Sequence, residues 1–297
     1  MSATTYEQIQ NDGRLNFAAS IINAAYASDA LDRLGIQRPG ADTYYLPPEI
    51  GYLCGSETQR ARRVFGCVHT ADFLVVADPA DPAYQASPYA GEIEFMRTLR
   101  PGDVAVIATP VGKEQGSAAR NEMRNGGVWG GLLTALAMSY GALGAVIEGP
   151  IRDCDQINGY FRDEPFDDRS RRSLTHALGN AASDENIGLV REAMLARGTF
   201  PVYGTGTLPT DSAYRTEAVS CGETITIEGV TVEDRDFIVA DLDGQVVIPN
   251  GAVLDVLEKV IEIDEGDKGV WSDALARLAG FHDDSVDEII ERNGGHL

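Results

Sequence analysis

The chain has 297 residues, 43% of them hydrophobic and 24% charged, which suits one globular domain with a sizeable core. Its 46 acidic side chains against 24 basic ones leave a net charge of -22, so polyanionic nucleic acid and anionic membrane surfaces are poor partners. No apolar run approaches the ~20 residues of a membrane span, no basic-then-apolar N-terminal segment marks a secretory signal, and Cys54, Cys67, Cys154 and Cys221 are scattered, so a reduced cytoplasm is the expected setting.

Residues 6–35 read as helix, with Ile9, Phe17, Ile21, Ile22, Ala25 and Leu31 as apolar positions and Gly35 as the stop. Pro- and Gly-rich turns follow to Tyr52. Strand-like runs cover 64–70 and 73–77, and Pro101-Gly102-Asp103 turns into a strand over 104–108. Residues 113–125 read as a polar loop. Gly126-Gly127-Val128-Trp129-Gly130-Gly131 then opens a helix over 132–140 that ends at Gly141, and a buried strand over 145–147 runs into Glu148-Gly-Pro-Ile-Arg152-Asp153. Strand, Gly-rich turn, helix and strand in this order make a βαβ-like unit, whose ligands sit at the carboxyl ends of strands. Residues 158–182 are polar, carry Arg162, Arg169, Arg171 and Arg172, and show no strong periodicity. A short helix over 184–197 stops at Gly198. Strands follow at 200–203, 224–227 and 237–240, and Asp243-Gly244 turns a hairpin into 246–248. Residues 253–278 read as largely helical, interrupted near Gly266 and Gly269.

The pair Arg152-Asp153 carries the most chemistry. A carboxylate just past a strand end can hold a hard metal ion. An adjacent guanidinium, charged at any working pH, can stabilise an oxyanion beside it. A solvated loop ion pair is the plain alternative. The glycines before Leu132 could present backbone N–H groups to an anion at a helix start, or make a tight structural turn; neither a Walker nor a GxGxxG pattern is present. Cys67 and His69 have no second pair at zinc-like spacing, so a core role is expected. Asp241-Leu242-Asp243-Gly244 reads as a hairpin rather than a calcium loop. No lysine ends an apolar strand, which argues against a Schiff base.

Four pieces, in order, resemble the RraA-like family, which includes the 4-hydroxy-4-methyl-2-oxoglutarate/4-carboxy-4-hydroxy-2-oxoadipate aldolases and the regulator of ribonuclease E activity. They are Ser28 to Gly35, Trp129 to Leu133 with its helix, Gly141 to Asp153, and Asp236 to Pro249. The resemblance implies an α/β fold with a layered ββα-type core. It implies a single domain over 1–297, with an insertion around 158–185 and a C-terminal helical extension over 250–297. It also implies a homotrimer or homohexamer. In the aldolases the aspartate of Arg-Asp binds a divalent metal, the arginine polarises the substrate carbonyl, and amides of the Gly-rich loop hold the pyruvyl carboxylate. Carried over, these are Asp153, Arg152, and Gly130, Gly131, Leu132 and Leu133. A C-terminal-helix glutamate from a neighbouring subunit, holding metal-bound water, matches Glu265 best, with Glu262 as the fallback. The implied activity is cleavage of a 4-hydroxy-2-oxo acid, or decarboxylation of oxaloacetate, to pyruvate with Mg²⁺ or Mn²⁺. The regulator branch offers the alternative, a non-enzymatic partner of a protein such as a ribonuclease. That branch is shorter at the C-terminus and lacks the aldolase glutamate, so the long acidic C-terminal helix favours the enzyme.

The sequence departs from the family pattern at three places. Gly131 stands where an acidic residue is usual, Glu148 where Asp is more common, and about thirty residues are inserted after Asp153, whose arginines could read a second carboxylate. The charge balance generates a prediction of its own. Self-repulsion of 46 acids against only 24 basic side chains, three of them lysines, is strongest at low ionic strength. The melting temperature and the retention of oligomers should therefore rise between millimolar and molar KCl in a thermal-shift and light-scattering series. A flat or falling melting temperature would leave only ordinary solubility charge.

Overall fold

The computed structural model describes residues 5–36, 44–56, 62–109, 126–161 and 168–293. The N-terminal helical region is three helices rather than one: α1 (Thr5–Asn11), α2 (Gly13–Ile21) and α3 (Ala24–Arg33). The breaks fall where short polar side chains take over as caps. Asp12 accepts the amides of Arg14 and Leu15, and Asn23 accepts that of Tyr26. Gly35 ends the region with φ 63°, a left-handed conformation that glycine adopts without a Cβ penalty.

The strands are β1 (Gly51–Cys54), β2 (Val64–Val75), β3 (Asp103–Ala108), β4 (Gly144–Ile147), β5 (Pro150–Ile151), β6 (Val202–Gly204), β7 (Gly206–Thr207), β8 (Thr216–Cys221), β9 (Ile225–Ile227), β10 (Val230–Val232), β11 (Phe237–Ala240) and β12 (Gln245–Ile248). Eight of the described strands form one sheet in the order β1-β6-β4-β3-β2-β11-β12, with β8 also on β2. The two strand-like runs around residue 70 are a single strand, bent by an irregularity between Asp72 and Phe73. Its first half pairs with β11 and its second half with β8. β2, β3, β4 and β6 run parallel. The hairpin expected at Asp243-Gly244 joins β11 and β12. Asp241 uses its carboxylate on the amides of Ala24 and Asp243, as a turn residue does.

The other helices are α4 (Pro82–Ala86), α5 (Ala90–Thr98), α6 (Gly131–Ser139), α7 (Cys154–Gly159), α8 (Asp168–Leu178), α9 (Asp184–Arg197), α10 (Val253–Leu278) and α11 (Val286–Arg292). Two differ from the sequence reading. α8 lies in the stretch read as aperiodic, and α10 runs unbroken through Gly266 and Gly269. Six residues of the first three turns of α10, Val253 to Ile263, are buried, and this packing outweighs the roughly 1 kcal/mol that each glycine costs in a helix. The polar loop expected over 113–125 lies outside the described residues, as does Arg162.

Alternation along the strands sorts the core into layers. Ala105, Ile107, Ala145 and Ile147 face a cluster with Phe95, Trp129, Ile151 and Phe200. Val104, Val106 and Val146 point the other way, to Ile225, Val232, Ile238 and Val247. Phe237, Val239 and Val246 face α1–α3 and α10. The result is a mixed α/β fold, a curled sheet with helices, with the first layer under the candidate site.

A polar network ties the start of β11 to this sheet. His69 lies 2.8 Å from both Asp234 and Thr98, and Arg235 bonds Asp234 and Asp103, each at 2.8 Å. Both ring nitrogens of His69 are thus engaged, in keeping with a core role beside Cys67. Burial works against the Asp234 charge, but hydrogen bonds from His69 and Arg235 win and hold its carboxyl down at about 2. A depressed carboxylate stabilises the fold above its unfolded value near 3.8, and loses that contribution as pH falls through about 2. Asp234→Asn is therefore expected to cost about 2 kcal/mol at neutral pH. The gap in Tm from the wild type should narrow below about pH 4; a gap constant down to pH 2 would contradict this.

Candidate active site

The site forms where two chain segments meet backbone to backbone beyond the end of β4. Val128 donates its amide to the Pro150 carbonyl at 2.9 Å, and Arg152 donates to the Trp129 carbonyl at 2.8 Å. Trp129 is buried in the first layer, parallel to the Phe200 ring at 6.2 Å. Its indole N–H donates to Thr134, so the glycine loop is anchored from below.

A Cβ on Gly130 would stand 2.9 Å from Asp153 Oδ2 and 3.1 Å from Arg152 Cγ. Any side chain there would push the Asp153 carboxylate and the Arg152 side chain away from the loop. Asp153 has φ 62° and ψ 25°, a left-handed conformation in which Asp is enriched and which clusters at functional sites. Its carboxylate accepts the Gly131 amide at 3.2 Å. Arg152 Nε lies 3.6 Å from the same oxygen. Gly130 caps α6 without a side-chain hydrogen bond. Among the described residues, the next two amides of that first turn, Leu132 and Leu133, have no acceptor, as is usual at a helix start. The Leu132 side chain is 71% exposed, while Leu133 packs on the first layer. The structure therefore brings together Gly130, Gly131, Arg152 and Asp153, with the amides of Leu132 and Leu133 beside them.

Glu265 is not among them. It is exposed on α10, and its charge, like that of Glu262, acts on Arg14 of α2. Glu262 pairs with Lys259. Of the insert arginines with described side chains, Arg171 pairs with Asp184 and Arg172 is exposed.

At Gly131, where the resemblance led to the expectation of an acidic residue, a Cβ would stand 2.9 Å from the Gln156 amide group. Gln156 donates to the Tyr160 hydroxyl at 3.0 Å, which in turn donates to the Gly131 carbonyl at 3.1 Å. Glu148 accepts the Thr109 amide at 3.0 Å, and burial pushes its carboxyl up to about 8.

Three residues at the site had no signal in the sequence. Asp211 bonds Arg152 Nη1 at 2.9 Å and accepts the Tyr89 hydroxyl at 3.1 Å. Glu92, one turn along α5 from Tyr89, is 4% exposed and leaves Oε1 without a partner. All three are contributed by segments distant from Arg152 in the chain.

The donor set fits a hard, water-rich cation. The Asp153 side chain is 38% exposed, and no group of three His, Cys, Asp or Glu residues converges among the described residues. An ion at Asp153 would be held by one protein carboxylate and water, which is how Mg²⁺ is commonly bound.

The family model for RraA-like proteins (Aldolase/RraA) matches residues 58–161 and 187–247, over half of the chain. The chain belongs to the RraA-like family. Protein DlpA of Legionella pneumophila subsp. pneumophila is 23% identical over 257 residues, 86% of this chain and 31% of DlpA, so the chain spans about a third of that curated relative. An uncharacterized protein from Pseudomonas syringae pv. tomato shares the fold with a TM-score of 0.61 at 17% identity, over 98% of this chain and 97% of its own. RraAS2 of Streptomyces coelicolor, an unusual member of the RNase ES inhibitor RraA protein family, does so with a TM-score of 0.55 at 18% identity, over 86% and 96%. Among the described residues of this RraA-like protein, no helix is long and apolar enough to cross a membrane.

The buried Glu92 gives a sign-definite test. Burial pushes its carboxyl up to about 7 from an ordinary 4.5, with Asp211 adding to the rise, and Ser212 and Arg152 opposing it. The folded state then binds the proton more tightly than the unfolded one. Stability from this group is present below pH 4.5 and lost as pH rises through about 7. Glu92→Gln should raise stability at pH 8 by up to about 3 kcal/mol and leave it unchanged near pH 4. Urea titrations at the two pH values check this; an equal effect at both would contradict it.

Proposed function

We propose that this protein is a carbon–carbon lyase that cleaves a 2-oxo acid, either a 4-hydroxy-2-oxo acid or oxaloacetate, to give pyruvate with Mg²⁺ or Mn²⁺. The observation that carries the reading is the convergence of the Asp153 carboxylate, the Arg152 guanidinium and the uncapped start of α6. Asp153 would hold the metal, which supplies Lewis-acid polarisation of the 2-oxo carbonyl. The amides of Leu132 and Leu133 are placed to take the substrate carboxylate, as helix starts take anions. Arg152, permanently charged, stabilises the enolate oxygen that forms as the C–C bond breaks. In oxaloacetate the leaving group is CO₂; in a 4-hydroxy-2-oxo acid it is a carbonyl compound formed as the 4-hydroxyl loses its proton.

Within one chain Glu265 does not reach this site, so its expected role requires a second copy, in a trimer or hexamer. A regulator that binds a protein partner is the second reading. It is supported by the likeness to RraAS2, described as an unusual member of the RNase ES inhibitor RraA protein family. A cytoplasmic location fits both readings.

A screen of 2-oxo acids with Mg²⁺ and Mn²⁺, with and without EDTA, separates the two. Pyruvate release should be abolished by EDTA and by Asp153→Ala, with the fold intact. Arg152→Ala should retain metal but lose roughly 10²–10³ in rate. Near-wild-type rates in both variants would remove this site assignment, and no turnover of any 2-oxo acid would favour the regulator. In the same preparation, light scattering showing an active monomer would remove the role of Glu265.

A further inference from the structure

We propose that Asp211 is the positioning residue that aims the Arg152 guanidinium, and that Tyr89 and Glu92 hold Asp211 in place to do so. This rests on the reading of Arg152 as the oxyanion stabiliser and adds the residues that preorganise it.

An arginine that is 32% exposed on its side chain would ordinarily sample many rotamers, at a cost in entropy when it is fixed. Electrostatic stabilisation of a transition state needs the donor aligned beforehand. In Arg152, Nη1 forms an ion pair with Asp211 Oδ2 at 2.9 Å, and Nε stands 3.6 Å from Asp153 Oδ2. The guanidinium is planar, so placing these two nitrogens fixes the third. Nη2 has no partner among the described residues. It is the N–H group left for a substrate oxygen next to Asp153.

Asp211 is itself held from three sides. Its Oδ1 accepts the Ala213 amide at 3.3 Å, and its Oδ2 accepts the Tyr89 hydroxyl at 3.1 Å. Gly127 donates its amide to the Thr210 carbonyl at 3.0 Å and bridges Asp211. The residue that aims Arg152 is thus pinned to the same glycine loop that offers the amides of α6. Glu92 lies on α5, three residues after Tyr89, and Ser212, the neighbour of Asp211, is among the groups that act on its carboxyl. Its near-complete burial and unpartnered Oε1 are costly for a side chain that only fills space.

The two carboxyl groups divide the work. Burial works against the Asp211 charge, yet the Ala213 amide, Arg152 and Tyr89 hold its carboxyl below the ordinary value. Burial pushes Glu92 the opposite way. Neighbouring carboxyls driven apart in this manner take different roles: Asp211 carries the charge that pairs with Arg152, and Glu92 gives up its proton less readily. The groups facing Glu92 are Ser212, Asp211 and Arg152.

The test compares Asp211→Asn, Asp211→Glu and Tyr89→Phe with the wild type in the full-length protein. One readout needs no turnover: ¹⁵N NMR of the Arg152 side chain, assigned with Arg152→Lys, which reports rotation about the Nε–Cζ bond. Asp211→Asn should speed that rotation and the exchange of the Nε proton. On any 2-oxo acid the wild type turns over, it should lower kcat roughly 10–100-fold, the scale of a misplaced catalytic group, with KM and Mn²⁺ affinity little changed. Asp211→Glu should recover part of kcat. Tyr89→Phe, the milder change, should shift both readouts in the same direction by a few-fold, and decides the matter if Asp211→Asn fails to fold. Unaltered Arg152 rotation, or a lowered Tm with unaltered kcat, would overturn the proposal. If the wild type turns over no 2-oxo acid, the lyase reading falls and the NMR readout alone decides whether Asp211 aims Arg152.

Discussion

The site depends on one close approach, that of the glycine loop before α6 to the segment between β5 and α7. Two backbone hydrogen bonds, Val128 to Pro150 and Arg152 to Trp129, set the distance. Gly130 leaves room for it, because a Cβ there would force the Asp153 carboxylate and the Arg152 side chain to shift. The left-handed conformation of Asp153 follows in the same place. Without this approach, the Asp153 carboxylate would not meet the Gly131 amide, and Arg152 would be an ordinary surface cation. Strain of this kind persists only where the surroundings over-determine it. Here Trp129, buried against Phe200 and bonded to Thr134, supplies the rigid floor.

The rest of the fold serves that geometry from a distance. Parallel β3 and β4, in the interior of the sheet, carry the chain to their carboxyl ends, beyond which the candidate site lies. Their alternating side chains fill a layer on each face, so the strand ends move little relative to the helices above them. The hydrogen-bonded group of His69, Asp234, Arg235 and Asp103 joins β2, β3 and the entry to β11. Asp236 adds to it by accepting the amides of Glu233 and Asn250. The Asp at the start of the fourth family-like piece therefore has a structural role, whereas the Arg-Asp pair of the third lies in the candidate site.

Much of this was legible in the sequence, for local reasons. The strand over 237–240 and its hairpin were readable because four apolar residues end at an Asp-Gly turn. The Gly loop, its helix and the Arg-Asp turn were readable because each is continuous in the chain. The breaks at Asp12 and Asn23 were missed because the apolar positions run straight through them, and only the caps reveal the interruption. α8 was missed because its arginine-rich face, not an apolar stripe, dominates its sequence. Asp211, Tyr89 and Glu92 could not be read at all. They lie about 60 residues on either side of Arg152, and nothing in a turn motif or a helix start says which distant guanidinium it will meet.

The central claim is that the carboxylate of Asp153 is a one-ligand seat for a hard cation beside Arg152. Electron paramagnetic resonance of Mn²⁺ bound to the protein in ¹⁷O-enriched water tests it most directly, because line broadening counts the waters on the ion. One Mn²⁺ per chain is expected, which keeps most of its water shell, loses waters when oxalate is added as a mimic of the enolate, and disappears in Asp153→Asn. A Mn²⁺ signal unchanged by Asp153→Asn, or the absence of any stoichiometric Mn²⁺ binding with oxalate present, would contradict it.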